Sequence, residues 1–366
     1  MAMAKTDAEH DVLVLGGGPA GCAAAIAAAR RQLRTLLIER QATDRRTCPG
    51  WIGPAAARQC AACGVDLKEL ATQFTGLRLW SWDWRKHSDV HDRELSGWLI
   101  NGRRLEQALL AAARTAGARL LCPATAVDVQ LAEHAAHVTL TDGQRLSAQV
   151  VIIADGAASL ARRLARLPEI PSDECGAAWT ELDCPDAGAA LEVVLGTGRT
   201  PRVATLARGL GKLRITLLTG EMDAPATKEL AALVTAGRAA GALPPGPPVA
   251  VHPAVALAGV ALDLETHVGK RCLLVGEAGG FVTALSNEGL YPALRSGWLA
   301  GEKAAAALAA PLLQDELATF SADWRADLAD YMRMPNTDLG LLLPMVFSNR
   351  QIALRLARSF LLGQPF

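Results

Sequence analysis

A chain of 366 residues is long enough for two intertwined domains and too short for three separate cores. Its 37 basic residues balance 37 acidic ones, which argues against a nucleic-acid footprint or a strongly anionic partner. About half of the residues are hydrophobic, yet no uninterrupted apolar run approaches the roughly 18 to 20 residues that a bilayer span requires. The opening MAMAKTDAEHD lacks the apolar core of a signal peptide, and eight cysteines without one read as reduced thiols, so the expected location is the cytoplasm.

In chain order, DVLVL at 11–15 is an apolar run that ends in glycine, the signature of a buried parallel strand. Residues 19–32 carry alanine at helical spacing and turn basic at the end, as suits a helix C-terminus. TLLIE at 35–39 is a second buried strand that closes on an acid, completing one βαβ unit. From about 45 to 98 the helical period is lost and Gly, Pro, Arg and Trp accumulate. Helical spacing returns at 103–117, followed by the hairpin-like HVTLTDGQRL with its turn at Asp142–Gly143 and by the buried strand QVVIIADG at 149–156. Residues 170 to about 264 read as a separate layer of strands (ALEVVLG, RVATLA, KLRITLL) with one helix. RCLLVGEAGG at 271–280 repeats the strand-then-glycine pattern before a long helix over roughly 287–309, and the remainder reads as helices broken near Pro335 and Pro344.

Gly16, Gly18 and Gly21 fit G-x-G-x-x-G, with Pro19 and Ala20 between them. The first glycine permits the tight turn, the second admits a pyrophosphate to the backbone, and the third lets helix and strand pack closely. The helix N-terminus then offers its free N–H groups to phosphate. Glu39 ends the second strand about 20 residues on, where a carboxylate accepts ribose hydroxyls. A dinucleotide is therefore expected here.

ADGAASLARRL at 154–164 and VGEAGGFVTALSNEGLYPALRSG at 275–297 each follow a buried strand. With the glycine loop, they resemble the FAD-dependent superfamily that shares the para-hydroxybenzoate hydroxylase fold. That family includes aromatic hydroxylases, geranylgeranyl reductases, flavin-dependent halogenases and some cofactor-maturation flavoproteins. The resemblance implies FAD, with Asp155 and Gly156 near the pyrophosphate and Gly276 and Glu277 at the ribityl chain; the family usually has Asp where this chain has Glu277. Arg40, Arg46, Arg104 and Val127 join the expected cofactor contacts. The run G-F-V-x-x-x-S-N-E-G-L-Y-x-A-L-x-S-G is similar to the geranylgeranyl reductase pattern G-F-[VI]-x-P-x-x-G-E-G-I-x-x-A-[LM]-x-S-G, which places Glu288, Gly289 and Leu290 at the start of a helix facing the flavin. Other markers are missing: there is no Y-x-W-x-F-P in the middle layer, and LWSWDWRKH lacks the W-x-W-x-I-P of tryptophan halogenases.

For the substrate, Cys48 and Trp51 of TCPGWIGP sit where geranylgeranyl reductases carry a loop beside the flavin ring. Trp80, Trp82 and Trp84 alternate, so on a strand they face one way, as a cavity wall or as sheet packing. Cys60-Ala-Ala-Cys63 reads as one face of a helix capped by Gly64 rather than as a redox pair, and no histidine spacing suggests a metal.

The expected fold class is α/β: a Rossmann-like FAD-binding domain over 1–44, 95–168 and 265–310, interleaved with a smaller mixed-sheet substrate domain over 45–94 and 169–264, then a C-terminal helical segment over 311–366. The leading expectation is an FAD-dependent monooxygenase that activates O2 at reduced flavin and oxidises an aromatic or electron-rich substrate. With a single G-x-G-x-x-G, electrons are expected from transient NAD(P)H contact or from a separate reductase. The alternatives are a reductase of isoprenoid double bonds, a flavoprotein modifying a residue of a protein substrate during quinone-cofactor maturation, and a flavin-binding protein without turnover. Peripheral membrane contact through the C-terminal segment is the less favoured reading.

Overall fold

The computed structural model describes residues 8–41, 50–170, 173–185, 188, 190–196, 202–209, 211–219, 225–257, 259–336 and 339–366. The strands are β1 (His10–Leu15), β2 (Thr35–Ile38), β3 (Trp51–Ile52), β4 (Ala71–Thr75), β5 (Leu77–Ser81), β6 (His87–Val90), β7 (Ser96–Ile100), β8 (Arg119–Leu121), β9 (Ala126–Leu131), β10 (Ala136–Leu140) and β11 (Arg145–Ile153). They continue with β12 (Asp173–Asp183), β13 (Leu191–Gly196), β14 (Arg202–Gly209), β15 (Lys212–Leu218), β16 (His252–Ala256), β17 (Val268–Gly269) and β18 (Cys272–Leu274). The helices used below are α1 (Pro19–Arg30), α2 (Pro54–Ala62), α3 (Gly102–Thr115), α4 (Leu160–Leu164), α5 (Ala226–Ala239), α6 (Val260–Asp263), α7 (Leu290–Ala309), α8 (Leu313–Ala318), α9 (Phe320–Met332), α10 (Leu339–Val346) and α11 (Arg350–Leu362).

The first sheet runs β17-β18-β11-β1-β2-β8, with β18, β11, β1, β2 and β8 parallel and the β9–β10 hairpin added onto β11. Alternation along these strands divides the core in two. Val12, Val14 and Leu37 face α1, α3 and α7, whereas Leu13, Leu15 and Ile38 face the β9–β10 hairpin and α4. Small residues let the helices come close: a Cβ on Gly297 of α7 would lie 2.0 Å from the Ala20 carbonyl oxygen of α1. The two N-termini that follow β1 and β18 are thereby held side by side at the carboxyl edge of the sheet, where open α/β sheets bind ligands.

The second sheet, β16-β12-β15-β14-β13-β5-β6, is antiparallel except for the β13–β5 pair, and a small third sheet, β3-β7-β4, bridges the two. One face of the second sheet packs on α5 through Ala178, Leu182, Val194 and Leu206. The other, with Leu79, Val193 and Ala207, packs on Trp51, Leu285 and the C-terminal helices.

The Trp-rich stretch is where the sequence expectation fails. β5 stops at Ser81, whose hydroxyl donates to Asp83 Oδ1 at 2.6 Å, while the Arg85 N–H donates to the same oxygen. This Asx-type turn reverses the chain, so Trp82 and Trp84 lie in the connection to β6 and not on a strand, with Trp84 at φ 61°.

Candidate active site

The glycine loop is built by crowding. Gly16 has φ +107°, and a Cβ there would lie 2.3 Å from the Ala154 carbonyl oxygen; at Gly21 it would lie 1.8 Å from the Gly16 oxygen. No other residue fits either position. Gly18 caps α1 without a side-chain acceptor and Pro19 follows it, so the first turn presents main-chain N–H groups with no side chain competing for them. Glu39 is buried just past β2, where Oε2 accepts the Gly17 N–H at 2.5 Å and Oε1 accepts the Gln41 N–H at 2.9 Å. These residues fit the dinucleotide half of FAD: a positive helix end for the pyrophosphate and a fixed carboxylate for the ribose.

The remaining cofactor candidates divide. The Asp155 carboxylate accepts from the Ser159 hydroxyl and from the Ala161 N–H at 2.9 Å, so it caps α4, while its Cα backs onto Gly16. Gly156, at φ +90°, has open space where a Cβ would be. Gly276 (φ +60°) abuts Ala20, and Glu277 Oε1 lies 3.7 Å from the position of a Gly289 Cβ, near the start of α7. Ala20, Gly276, Glu277, Gly289 and Leu290 thus meet at one edge. Glu288 accepts the Tyr291 N–H at 2.7 Å, so one N–H of the first turn expected to face the flavin is already occupied. The Arg104 guanidinium donates to the Glu69 carbonyl at 3.4 Å rather than to any group of the glycine loop. Arg40 and Val127 are exposed. Arg46 and Cys48 lie outside the described residues.

Sequence reasoning missed Arg162, a buried guanidinium donating to the Ala278 carbonyl at 2.9 Å and so fixing the turn that carries Glu277. Burial holds it below the ordinary arginine range, opposed by the nearby Asp155.

A cleft of about 520 Å³ opens on the face of the second sheet opposite α5, between Leu99–Arg103 at the start of α3 and the strands β12, β14, β15 and β16. Its floor is small, Ala207 and Gly209, and one wall is a three-layer stack. The His252 ring stacks on Trp179 with centroids 4.3 Å apart, and the Arg214 guanidinium lies 4.1 Å from the Trp179 ring centre. Two groups that close to one centroid must take opposite faces of the indole. Arg214 also donates to Glu181 Oε1 at 3.0 Å, which fixes its plane. Arg103, Lys212 and Arg214 stand against Glu181 in the lining and Asp183, which accepts from Lys212 at 2.5 Å, so the balance there is weakly cationic.

The three tryptophans predicted for the substrate, Trp51, Trp80 and Trp82, are not in the lining of this cleft. Trp51 is 1% exposed, pairs through β3 with β7, and stacks on Phe360 of α11 at 5.9 Å. Trp80 donates to Glu192 Oε2 at 2.7 Å and packs with Trp84, whose indole N–H reaches the Leu233 carbonyl of α5. Trp82 packs on Gly196 and Arg202. The register places Trp80 beside Val194 on the α5 face, one residue out of phase with Leu79 and Trp179. Cys60 and Cys63 are buried along α2, with burial pushing the Cys63 thiol up to about 11.

Glycine loop, buried acid and second sheet together make the frame of a dinucleotide-binding fold. Residues 11–168 match the family of FAD dependent oxidoreductases, and the fold is similar to that of several flavoproteins of known structure. The menaquinone reductase of Mycobacterium tuberculosis is 32% identical over 170 residues, 44% of this chain and 41% of that protein, so less than half of the relative is matched. Among solved structures, a geranylgeranyl bacteriochlorophyll reductase-like protein from Thermoplasma acidophilum is similar over 96% of each chain, with TM-score 0.74 and 18% identity. PqsL, a probable FAD-dependent monooxygenase from Pseudomonas aeruginosa, is similar over 95% of this chain and 99% of its own, with TM-score 0.67 and 20% identity. The flavin-dependent brominase Bmp2 follows with TM-score 0.71 and 13% identity over 96% of this chain and 89% of its own. At these identities the structural likenesses establish the fold.

Proposed function

We propose that this chain is an FAD-dependent monooxygenase acting on a planar, electron-rich aromatic that carries an anionic group. The observation that carries the reading is the cationic cleft with its His252–Trp179–Arg214 wall. FAD held by the glycine loop and Glu39 would supply the redox chemistry, electron transfer between a reduced nicotinamide nucleotide and O2. The chain's own residues bind and orient. The glycine loop and Glu39 fix the dinucleotide, Arg103, Lys212 and Arg214 draw an anionic group into the cleft, and Glu181 holds Arg214 in one plane. Ala207 and Gly209 leave room for a flat ring over the sheet. PqsL, of the same fold, has been crystallised with 2-aminobenzoylacetate, an aromatic anion, which supports the reading by analogy.

A second reading, reduction of an isoprenoid double bond, is favoured by the Ser286–Leu290 segment and by the two reductase names among the similar proteins. One experiment separates them. The loaded protein is reduced without oxygen and mixed rapidly with oxygenated buffer, with and without aromatic acids. A transient absorbance belonging to neither oxidised nor reduced flavin, with a decay that one of these acids accelerates, is expected. Direct return to the oxidised spectrum with every acid tried overturns the monooxygenase and favours the reductase.

A further inference from the structure

Glu288 precedes α7 and is 1% exposed. Its Oε1 accepts the Tyr291 N–H at 2.7 Å and its Oε2 accepts the Tyr331 hydroxyl at 3.4 Å, while its own N–H donates to Thr283 Oγ1 at 2.9 Å. Thr283 Oγ1 lies 2.7 Å from Ser286 Oγ. Among the described residues, the groups acting on the carboxyl are hydrogen-bond donors, and no cation is among them. The charged and titratable groups around it are Tyr291 and Arg295 on α7, Tyr331 and Asp327 on α9, Arg58 on α2, and Glu277 behind Gly289. Arg295 is paired with Asp327 and so is committed elsewhere. A buried carboxyl without a cation favours its neutral form, and burial pushes Glu288 up to about 7.

Tyr331 continues the path outward. Its ring is covered by Gly363 and meets Tyr291 edge-on at 4.7 Å. With Thr283, Ser286, Asp330 and the C-terminal Phe366 it lines a cavity of about 220 Å³. A row of hydroxyls therefore leads from this cavity to a buried acid, and the acid sits at the helix start that abuts the glycine loop.

We infer that Glu288 is a proton store for the reaction centre, refilled from the C-terminal cavity through Tyr331. The Glu288 O–H bond breaks as its proton passes to an acceptor at the sheet's carboxyl edge, and the electron pair stays on the carboxylate. Tyr331 then gives its hydroxyl proton to Oε2 and takes one from a buffer acid in the cavity. One proton moves inward, and nothing is oxidised. The inference rests on the FAD-dependent class and not on the choice between oxygenation and reduction, so its failure leaves that choice untouched.

The test uses wild type, E288Q and Y331F. Infrared spectra of the flavin-free protein should show the carbonyl band of a buried carboxylic acid that fades as pH rises through about 7 and is missing in E288Q. A pH-indicator dye should then show proton uptake on reduction of the flavin-loaded protein slowed by about tenfold or more in Y331F, with the total uptake unchanged. Absence of the band in wild type at every pH overturns the proposal. So does uptake at the wild-type rate in Y331F. If E288Q fails to fold, the wild-type band and the Y331F uptake rate still decide the question.

Discussion

Gly301 of α7 faces α1 along the close contact of the helix pair that frames the expected cofactor site, and replacing it with alanine sets two effects against each other. A Cβ there would lie 2.4 Å from the Ala24 carbonyl oxygen, 2.7 Å from Ala27 Cβ and 3.0 Å from the Ala28 nitrogen. Two of these neighbours are backbone, so relief requires the helices to part by about 1 Å, and a gap of that size forfeits a quarter to a half of each dispersion contact along the interface. Overpacking of this kind costs about 3 kcal/mol. Alanine in place of glycine within a helix returns about 1 kcal/mol. G301A should therefore be less stable by about 2 kcal/mol in denaturant unfolding. It should also bind FAD more weakly, because the shift displaces the first turn of α1. If the closeness of α1 and α7 carried no energetic weight, the helix-propensity gain would dominate; a G301A protein more stable than wild type refutes the reasoning.

Three further outcomes follow from single groups. R214M should weaken binding of an aromatic acid in the cleft by about tenfold to a hundredfold, the range of a charged hydrogen bond, and leave a neutral analogue within about twofold; equal losses for both would mean that Arg214 only shapes the wall. His267 is buried, donates from Nε2 to the Gly279 carbonyl at 2.9 Å, and is pushed by burial down to about 4. Its unfolded form takes up a proton near pH 6.5 and its folded form only near 4, so its contribution to stability is full above about 6.5 and falls by about 3 kcal/mol as pH drops to 4; H267L should lack that component. Glu288 has the opposite sign. Its folded carboxyl is raised from 4.5 to about 7, so its contribution is present below 4.5 and is lost as pH rises through 7, and E288Q should gain on wild type in unfolding experiments above pH 7 by up to about 3 kcal/mol.

The strand–glycine–helix turn expected to hold a dinucleotide was legible because its geometry is local. A glycine is obligatory where a neighbouring carbonyl stands 2.3 or 1.8 Å from its absent Cβ, and that requirement is written at fixed offsets between a strand and a helix. Glu39 was legible for the same reason, one residue past a buried strand. Even the departure from the glycine of the reductase pattern is locally sensible: Asn287 sits at φ 51°, a region asparagine tolerates better than most residues. The turn that ended β5 also had a local sign, Asp83 two residues after Ser81, but the alternation of three tryptophans masked it. The cleft had no such sign. Trp179, Arg214 and His252 belong to three strands, and only the pairing of β12 with β15 and β16 stacks them. Trp80 and Trp179 differ in face by one step of register across the sheet, which no spacing within a single strand records. Glu288 was read as the start of a helix, and its direction was set by a tyrosine hydroxyl 43 residues further on. Sequence thus determined what depends on backbone conformation and near neighbours. The tertiary structure decided which distant side chains share a wall, because strand register and helix packing are settled by the burial of whole faces and by no single residue.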